Sequence, residues 1–502
     1  MLPTNRAAIM AITDQNRMDE TQPLLHGAID NSAIEKDVVD FNATGDPENP
    51  RDWPTTYKWA IVALLALTAF TVTFTCISVV PIASRITYEL SNGDAKSSAS
   101  VLLVTIWEFG EAAGPLVIAP LSEVFGRYPV INVTNGLFIS AIVLAALCQS
   151  TPLFIAARAL TGLAVASNVL NPAIVGDMFI PEQQGSAMSI IMLAPLIGGA
   201  IGPAISGAVA QSSGWRWVLW MSAILAGACE LVFLTSFRET YKVTILQRKA
   251  ARLRKETGDT TLRTAFETDE ALKSRSFLNS IMRPVVVFSS SGVLQVMSLF
   301  GSVYFTFYYI MSTTLPDILE QIYGMSPALT GSAFIIFSIG STISVIICNL
   351  LLDKIYIKLR DSHKGIEQPE YRLPLVIVGA FTLPLIVISY GWIVELRLPL
   401  PLLLLSVGLL GLTLLLSTLP LMAFVVDAFR LYSASAMTAV IVSRCLMSTF
   451  LPLVTKPVIE EIGHGWAFTL LGALSLCLAP IPALIFRYGH KWRQRSEYTK
   501  EE

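Results

Sequence analysis

The sequence predicts an all-α membrane protein that crosses the bilayer with twelve transmembrane helices in two six-helix halves. Three observations lead there. Hydrophobic residues make up 53% of the 502-residue chain and charged residues only 14%, with a mean hydropathy of +0.60, whereas a soluble domain is charged at about a quarter of its positions. Apolar runs close to the ~20 residues that span a hydrocarbon core recur along the chain. The one long polar break, residues 238–283, divides twelve such runs six and six.

Residues 1–56 form a polar tail broken by Pro23, Pro47, Pro50 and Pro54. It lacks the apolar core of ~7–15 residues that marks a cleaved signal peptide, so the first apolar run is expected to direct its own insertion. Within the tail, Glu20-Thr-Gln-Pro-Leu24-Leu25 fits the acidic dileucine pattern that sorting adaptors read. The first half, 57–237, holds apolar runs near 57–80, 98–121, 129–149, 153–177, 187–210 and 217–237. The second, 284–487, holds runs near 284–311, 327–352, 373–394, 399–426, 434–458 and 466–486, and a short tail, 488–502, follows. In the central segment Val243, Leu246, Ala250 and Leu253 recur at helical spacing opposite a basic face, which predicts a helix lying on an anionic leaflet.

The halves echo each other. Gly176-Asp177-Met-Phe179 has its counterpart in Val426-Asp427-Ala-Phe429, Leu121-Ser-Glu123 in Leu351-Leu-Asp353, and Gly214-Trp215 in Gly465-Trp466. Ser186-Ala-Met188 precedes Pro203 at the same spacing at which Ser435-Ala-Met437 precedes Pro452. Parallel six-helix repeats place a binding site between the halves near the midplane.

Charge sets the orientation. Eleven Lys and Arg residues fall in 238–283 alone, with further ones in 354–372 and after residue 486, whereas the loops on the other side hold only Arg85, Lys96, Arg216, Arg397 and Lys456. The positive-inside rule therefore puts both termini and the central segment in the cytosol. A basic cytosolic segment is what this topology alone predicts, so no nucleic-acid partner is implied. The six cysteines lie inside apolar runs, as packing residues and not a disulfide framework. None of His26, His363, His464 and His490 falls in an apolar run, which excludes haem, HExxH metalloprotease and histidine-based intramembrane enzyme chemistry. The chain is expected to be no enzyme and to hold no metal or cofactor.

The chemistry concentrates in a few intramembrane charges. Glu108 and Glu111 sit near the middle of the second run, where an uncompensated carboxylate costs on the order of 3 kcal/mol and so marks a bundle interior or watery cavity. Arg158 in the fourth run needs a partner, and Glu108 and Glu111 lie at comparable depth. A carboxyl held between burial and a cation can take up and release a proton. Gly110 and Gly114 leave room for water on one side of that turn, which favours Glu111 as the proton carrier. Glu230 in the sixth run and Arg444 in the eleventh are the other intramembrane charges, Arg444 facing an anionic substrate or a helix-end carbonyl.

Ala119-Pro-Leu-Ser-Glu123-Val-Phe-Gly126-Arg127-Tyr-Pro-Val130 resembles the loop between the second and third helices of major facilitator transporters, in the version of the fungal drug:proton antiporters. Arg158 with Gly162, and Gly198, Gly202, Pro203 and Gly207, resemble that family's signatures in the fourth and fifth helices; Ser206 replaces one glycine. Asp46-Pro-Glu-Asn-Pro-Arg-Asp-Trp53-Pro54 is similar to its lead-in. The resemblance implies the major facilitator fold and efflux of a drug or fungal secondary metabolite in exchange for protons. It also implies a gating charge cluster of Glu123, Gly126, Arg127 and Asp177, echoed by Asp353 and Asp427, and a cavity contacted by Asn168, Asn171, Tyr304, Tyr308 and Arg444. Proton coupling then rests on Glu108, Glu111, Arg158 and Glu230, driven by the proton gradient, in a monomer of the plasma membrane or, if the dileucine works, a vacuolar or endosomal one. A polyamine or organic-acid carrier of the same fold and a non-transporting sensor are the alternatives.

Overall fold

Backbone polar groups have no partners in hydrocarbon, so a chain this apolar must satisfy them within helices. The computed structural model describes residues 39–42, 45–93, 97–258, 261–264, 281–363, 365, 367–494, 496 and 499. Glu20, Leu24 and Leu25, and the side chain of Asn168, lie outside this description. The helices are α1 (Thr55–Ile77), α2 (Ala83–Leu90), α3 (Ser97–Phe125), α4 (Arg127–Leu147), α5 (Thr151–Leu163), α6 (Ser167–Met178), α7 (Pro181–Ser213), α8 (Trp215–Ser236) and α9 (Lys242–Thr257) in the first part of the chain. There follow α10 (Ile281–Ser290), α11 (Gly292–Gln321), α12 (Pro327–Ser332), α13 (Phe334–Ser362), α14 (Pro374–Glu395), α15 (Leu400–Phe429), α16 (Ser433–Leu478) and α17 (Pro480–Arg493).

Among the described residues ten helical stretches are long and apolar enough to cross a membrane. They amount to twelve crossings for two reasons. The expected fourth run is two shorter helices, α5 and α6, interrupted at residues 164–166. The last stretch, Ser433–Arg493, turns back at Gly463, where φ is 81°. Glu395 accepts from the backbone N–H groups of His464 (2.8 Å) and Gly465 (3.3 Å), supplying an acceptor to the N–H groups that open the returning helix.

Close helix approach sets the depth of the acidic residues. A Cβ on Gly110 would strike the Ala159 carbonyl and one on Gly162 the Trp107 carbonyl, so α3 and α5 cross backbone against backbone. Gly114 faces the Leu163 carbonyl in the same way. The glycine face of α3 is therefore filled by α5 and is not the water-holding side expected from sequence. The opposite side of α3 packs on α16 of the second half, and α7 packs on α12 and α13. There Gly207 lies against the Pro327 carbonyl and Gly331 against the Pro203 carbonyl, while Gly198 and Gly202 receive Phe70 and Phe74 of α1.

Helix α9 forms as expected, but its surroundings differ. Leu246 and Ala250 are buried. Its basic residues meet the acidic lead-in: Lys249 pairs with Asp46 at 2.6 Å, Arg252 with Glu48 at 2.9 Å and Lys242 with Asp40 at 3.5 Å. Asp40, Asp46 and Glu48, in the lead-in to α1, compete successfully for the charges assigned to the leaflet.

Candidate functional site

A cavity of about 760 Å³ lies between the halves, lined by α1, α3, α6, α7, α11, α13, α15 and α16. That size suits a drug-sized molecule. Its wall is mostly apolar and aromatic, and Glu108, Glu111 and Arg444 are the charged residues among those that line it.

These three do not pair as depth alone suggested. Glu111 sits 3.5 Å from Arg444 and accepts from Trp107 Nε1 at 3.2 Å. Glu108 accepts from the Tyr309 hydroxyl at 2.6 Å through Oε1, while its buried Oε2 has no hydrogen-bond partner. Both contacts join α3 of the first half to the second half, through α16 and α11. The Arg444 guanidinium lies 4.2 Å from the Phe305 ring centroid, and its Nε has no partner. Cys445 completes the group, its sulfur and one oxygen of each carboxyl all lying within 4.8 Å of one another. The guanidinium beside them makes this cluster a poor cation site.

Arg158 turns elsewhere. It donates to the carbonyls of Thr75 (3.2 Å) and Cys76 (2.9 Å) and sits 4.7 Å from the Trp107 ring centroid, with no carboxylate in ion-pair range among the described residues. Those carbonyls belong to the last turn of α1, which has no intrahelical donors for them. The residue caps a helix, so its expected pairing with Glu108 or Glu111 is absent. Glu230 accepts from Asn135 of α4 at 2.7 Å and lies away from the cavity, as a polar tie between α8 and α4.

Asn171 and Tyr308 line the cavity as expected, and the Asn171 Oδ1 is unpartnered. Tyr304 does not. Its hydroxyl donates to the carbonyls of Ala380 (2.6 Å) and Ser475 (3.2 Å), which fixes α11 to its own half. Sequence reasoning missed Tyr309, the contact of Glu108, and Phe305, the ring beneath Arg444; both stand in the same aromatic run.

At one end of the bundle Arg127 pairs with Asp177 at 3.4 Å and donates to Ser122. Gly126 (φ 97°) brings the backbone N–H groups of Arg127 and Tyr128 to the Glu239 carboxylate, at 2.8 and 3.3 Å. Any Cβ there would collide with that carboxylate. Glu123 makes no ion pair among the described residues. In the other half Arg372 reaches both Asp353 (2.5 Å) and Asp427 (2.9 Å). Glu239 and Arg372 were not singled out in sequence; their position at helix starts beside the repeated acids was the available signal. Each cluster stays within its own half.

The opposite end is closed. Asp317 pairs with Lys456 at 2.8 Å and accepts from Ser84 of the first half at 2.8 Å, while Lys456 reaches Ser100 at 3.4 Å. The cavity runs from beneath this seal towards Val426 and Ser433, at the end that bears the clusters.

The sequence profile of the Major Facilitator Superfamily matches residues 60–452. The chain is 34% identical over 481 residues to the efflux pump radE of Floropilus chiversii, covering 94% of this chain and 88% of that one. It is 32% identical to the MFS transporter cpaT of Aspergillus oryzae, covering 92% of each. Among solved structures, a D-xylose-proton symporter superposes with a TM-score of 0.63 at 15% identity, over 85% of this chain and 97% of that one. The peptide transporter POT in complex with sulfate gives 0.60 at 17%, over 94% and 100%. The bundle, its seam cavity and these likenesses agree: the chain is a multi-pass membrane transporter for small molecules and belongs to the major facilitator superfamily.

Proposed function

We propose that this transporter exports a small organic molecule, of the secondary-metabolite kind, in exchange for protons, with Glu108 as the proton carrier. The observation that carries this is the unequal state of the two carboxyls. Glu111 is met by Arg444 and Trp107, so its charge is compensated. Glu108 has a donor for one oxygen only. An ionised carboxylate with a bare buried oxygen is costly, and a proton on it relieves that cost. A group so placed changes its protonation with its surroundings, which is what coupling requires, and the Tyr309 hydroxyl that donates to it comes from the other half. This reading moves the carrier from Glu111 to Glu108 and leaves Arg158 and Glu230 structural.

The charge clusters lie at the end that the Lys and Arg distribution assigns to the cytosol, so the cavity faces inward in this conformation and is sealed outside by Asp317 and Lys456. The efflux-pump name of one fungal relative supports export. A plasma-membrane monomer suits that role.

The test is transport in proteoliposomes with an imposed pH gradient. Glu108→Gln should abolish uphill export and keep downhill exchange, and Glu111→Gln should impair both by leaving Arg444 uncompensated. Full pH-driven export by Glu108→Gln would falsify the assignment.

A further inference from the structure

The hydrogen-bond inventory of the cavity says something about what fills it. Arg444 has five N–H donors, yet among the described residues it makes only two long contacts through Nη2, to Glu111 at 3.5 Å and to the Cys445 sulfur at 3.9 Å, and its Nε has none. Glu108, which lines the same cavity, has one acceptor oxygen without a donor. Donors on Arg444 and an acceptor on Glu108 are thus unspent among the residues that line one cavity. The wall around them is aromatic: Phe305 lies under the guanidinium, and Tyr308 packs on Phe337 with ring centroids 5.0 Å apart.

Charge narrows the choice. Glu111 already compensates Arg444, so an anion finds no free positive charge and would have to displace a carboxylate from its partner. A cation without hydrogen-bonding groups would leave both the guanidinium's spare N–H groups and the free oxygen of Glu108 unmet. An uncharged molecule avoids both penalties.

We propose that the cargo is an uncharged aromatic molecule bearing both a hydroxyl and a carbonyl-type oxygen, the hydroxyl donating to the free oxygen of Glu108 and the carbonyl accepting from Arg444. This rests on the reading of the cavity as the export site. It also gives the exchange its sign. The hydroxyl needs Glu108 as an acceptor, so a proton on the same oxygen evicts the cargo, and proton and cargo take turns at one atom. The other titratable groups around Glu108 are Glu111 on α3, Cys76 on α1, Arg158 on α5, Tyr308 and Tyr309 on α11, and Arg444 and Cys445 on α16. Of these, Glu108 alone combines a place on the cavity wall with a carboxyl oxygen lacking a donor.

The experiment is equilibrium binding to the full chain in nanodiscs, read by quenching of tryptophan fluorescence, since Trp107 lines the cavity. The probe is 4-hydroxybenzophenone at mildly acidic to neutral pH, where its phenol is un-ionised. Two relatives each remove one group: 4-methoxybenzophenone lacks the donor and 4-benzylphenol lacks the carbonyl. Tetraphenylphosphonium serves as the cation. Each relative should bind roughly tenfold to a hundredfold more weakly, the range for a lost hydrogen bond to a charged group. Binding of the hydroxybenzophenone should strengthen as pH rises, lose that dependence in Glu108→Gln, and become equal to that of 4-benzylphenol in Arg444→Met, which has no donor. The proposal is overturned if the three neutral probes bind alike, if tetraphenylphosphonium binds more tightly than the hydroxybenzophenone, or if no probe saturates. The ligand series runs on the unaltered protein and does not depend on pumping. Loss of this pattern with pH-driven export intact sinks the cargo assignment alone, and the pattern with no pH-driven export sinks the export reading alone.

Discussion

Replacing Arg158 separates two roles that a buried arginine can have. The structure gives it two carbonyl acceptors at the end of α1, Thr75 O and Cys76 O, and one ring, Trp107. Among the described residues Cys76 O has no other donor, and Thr75 O has one further, long contact, from Ser78 at 3.4 Å. Arg158→Ala therefore leaves two buried acceptors unmet, at about 1–3 kcal/mol each, and removes a cation–π contact of about 0.5–2 kcal/mol. Relief of a buried, unpaired charge offsets part of this, and a net loss of about 2–4 kcal/mol is expected. Arg158→Gln keeps uncharged N–H donors on a shorter stem and should recover part of the loss. The assay is thermal unfolding of the purified transporter, with the pH profile of transport measured alongside. A capping residue predicts that Gln stands between Arg and Ala in stability and that the pH profile of the remaining transport is unmoved. If Lys restores full stability, Gln is as poor as Ala and the pH profile shifts, Arg158 acts through its charge and the capping account fails.

Three further outcomes follow from particular contacts. Tyr309→Phe removes the hydroxyl that donates to Glu108, so transport should fall most at higher pH, where the ionised carboxylate needs it; a uniform fall across pH would disconnect the two residues. Lys456→Ala removes the Ser100 contact across the outer seal and the cation beside Asp317, and at about 1 kcal/mol it should shift the open population roughly fivefold. That shift would be read as faster labelling of Cys76, on the cavity wall, by an impermeant maleimide from outside, and an unchanged rate counts against the seal. The Lys249 ammonium bonded to Asp46 holds that carboxyl below its ordinary value of 3.8. A depressed carboxyl stabilises above its unfolded value and loses the contribution as pH falls below it. The docked residues 45–53 should therefore resist protease from neutral pH down to that range, whereas Asp46→Asn should expose them at neutral pH; equal resistance in the variant would show that the pair does not hold them.

The fold was legible because hydrocarbon imposes long apolar helices and leaves no other way to satisfy the backbone. The site was legible in its members but not in its pairs. An apolar run fixes how deep a side chain lies and says little about which way it points. Arg158 and Glu108 share a depth, yet the crossing of α3 and α5 at Gly110 and Gly162 turns Arg158 towards the end of α1. Tyr304 and Tyr309, five residues apart, lie about 140° apart around a helix. One therefore anchors α11 within its own half while the other meets Glu108. The pairing of Glu111 with Arg444 joins residues in different halves and has no local trace in the sequence.

Helix α3 explains why protonation there can matter to the whole molecule. One side is stripped to glycine so that α5 can press against its backbone, and the side towards α11 and α16 carries the two carboxyls. The helix is thus fixed to its own half by shape and tied to the other half by charge. On the proposed mechanism, Glu111 and Arg444 are a constant tie, compensated in either protonation state of their neighbour. Glu108 is the variable one, since its hydrogen bond to Tyr309 strengthens when it is ionised and weakens when it is protonated. A proton arriving at Glu108 therefore loosens one of two ties across the seam while leaving the other in place. This biases the halves to move about α3 without leaving a buried charge unpaired.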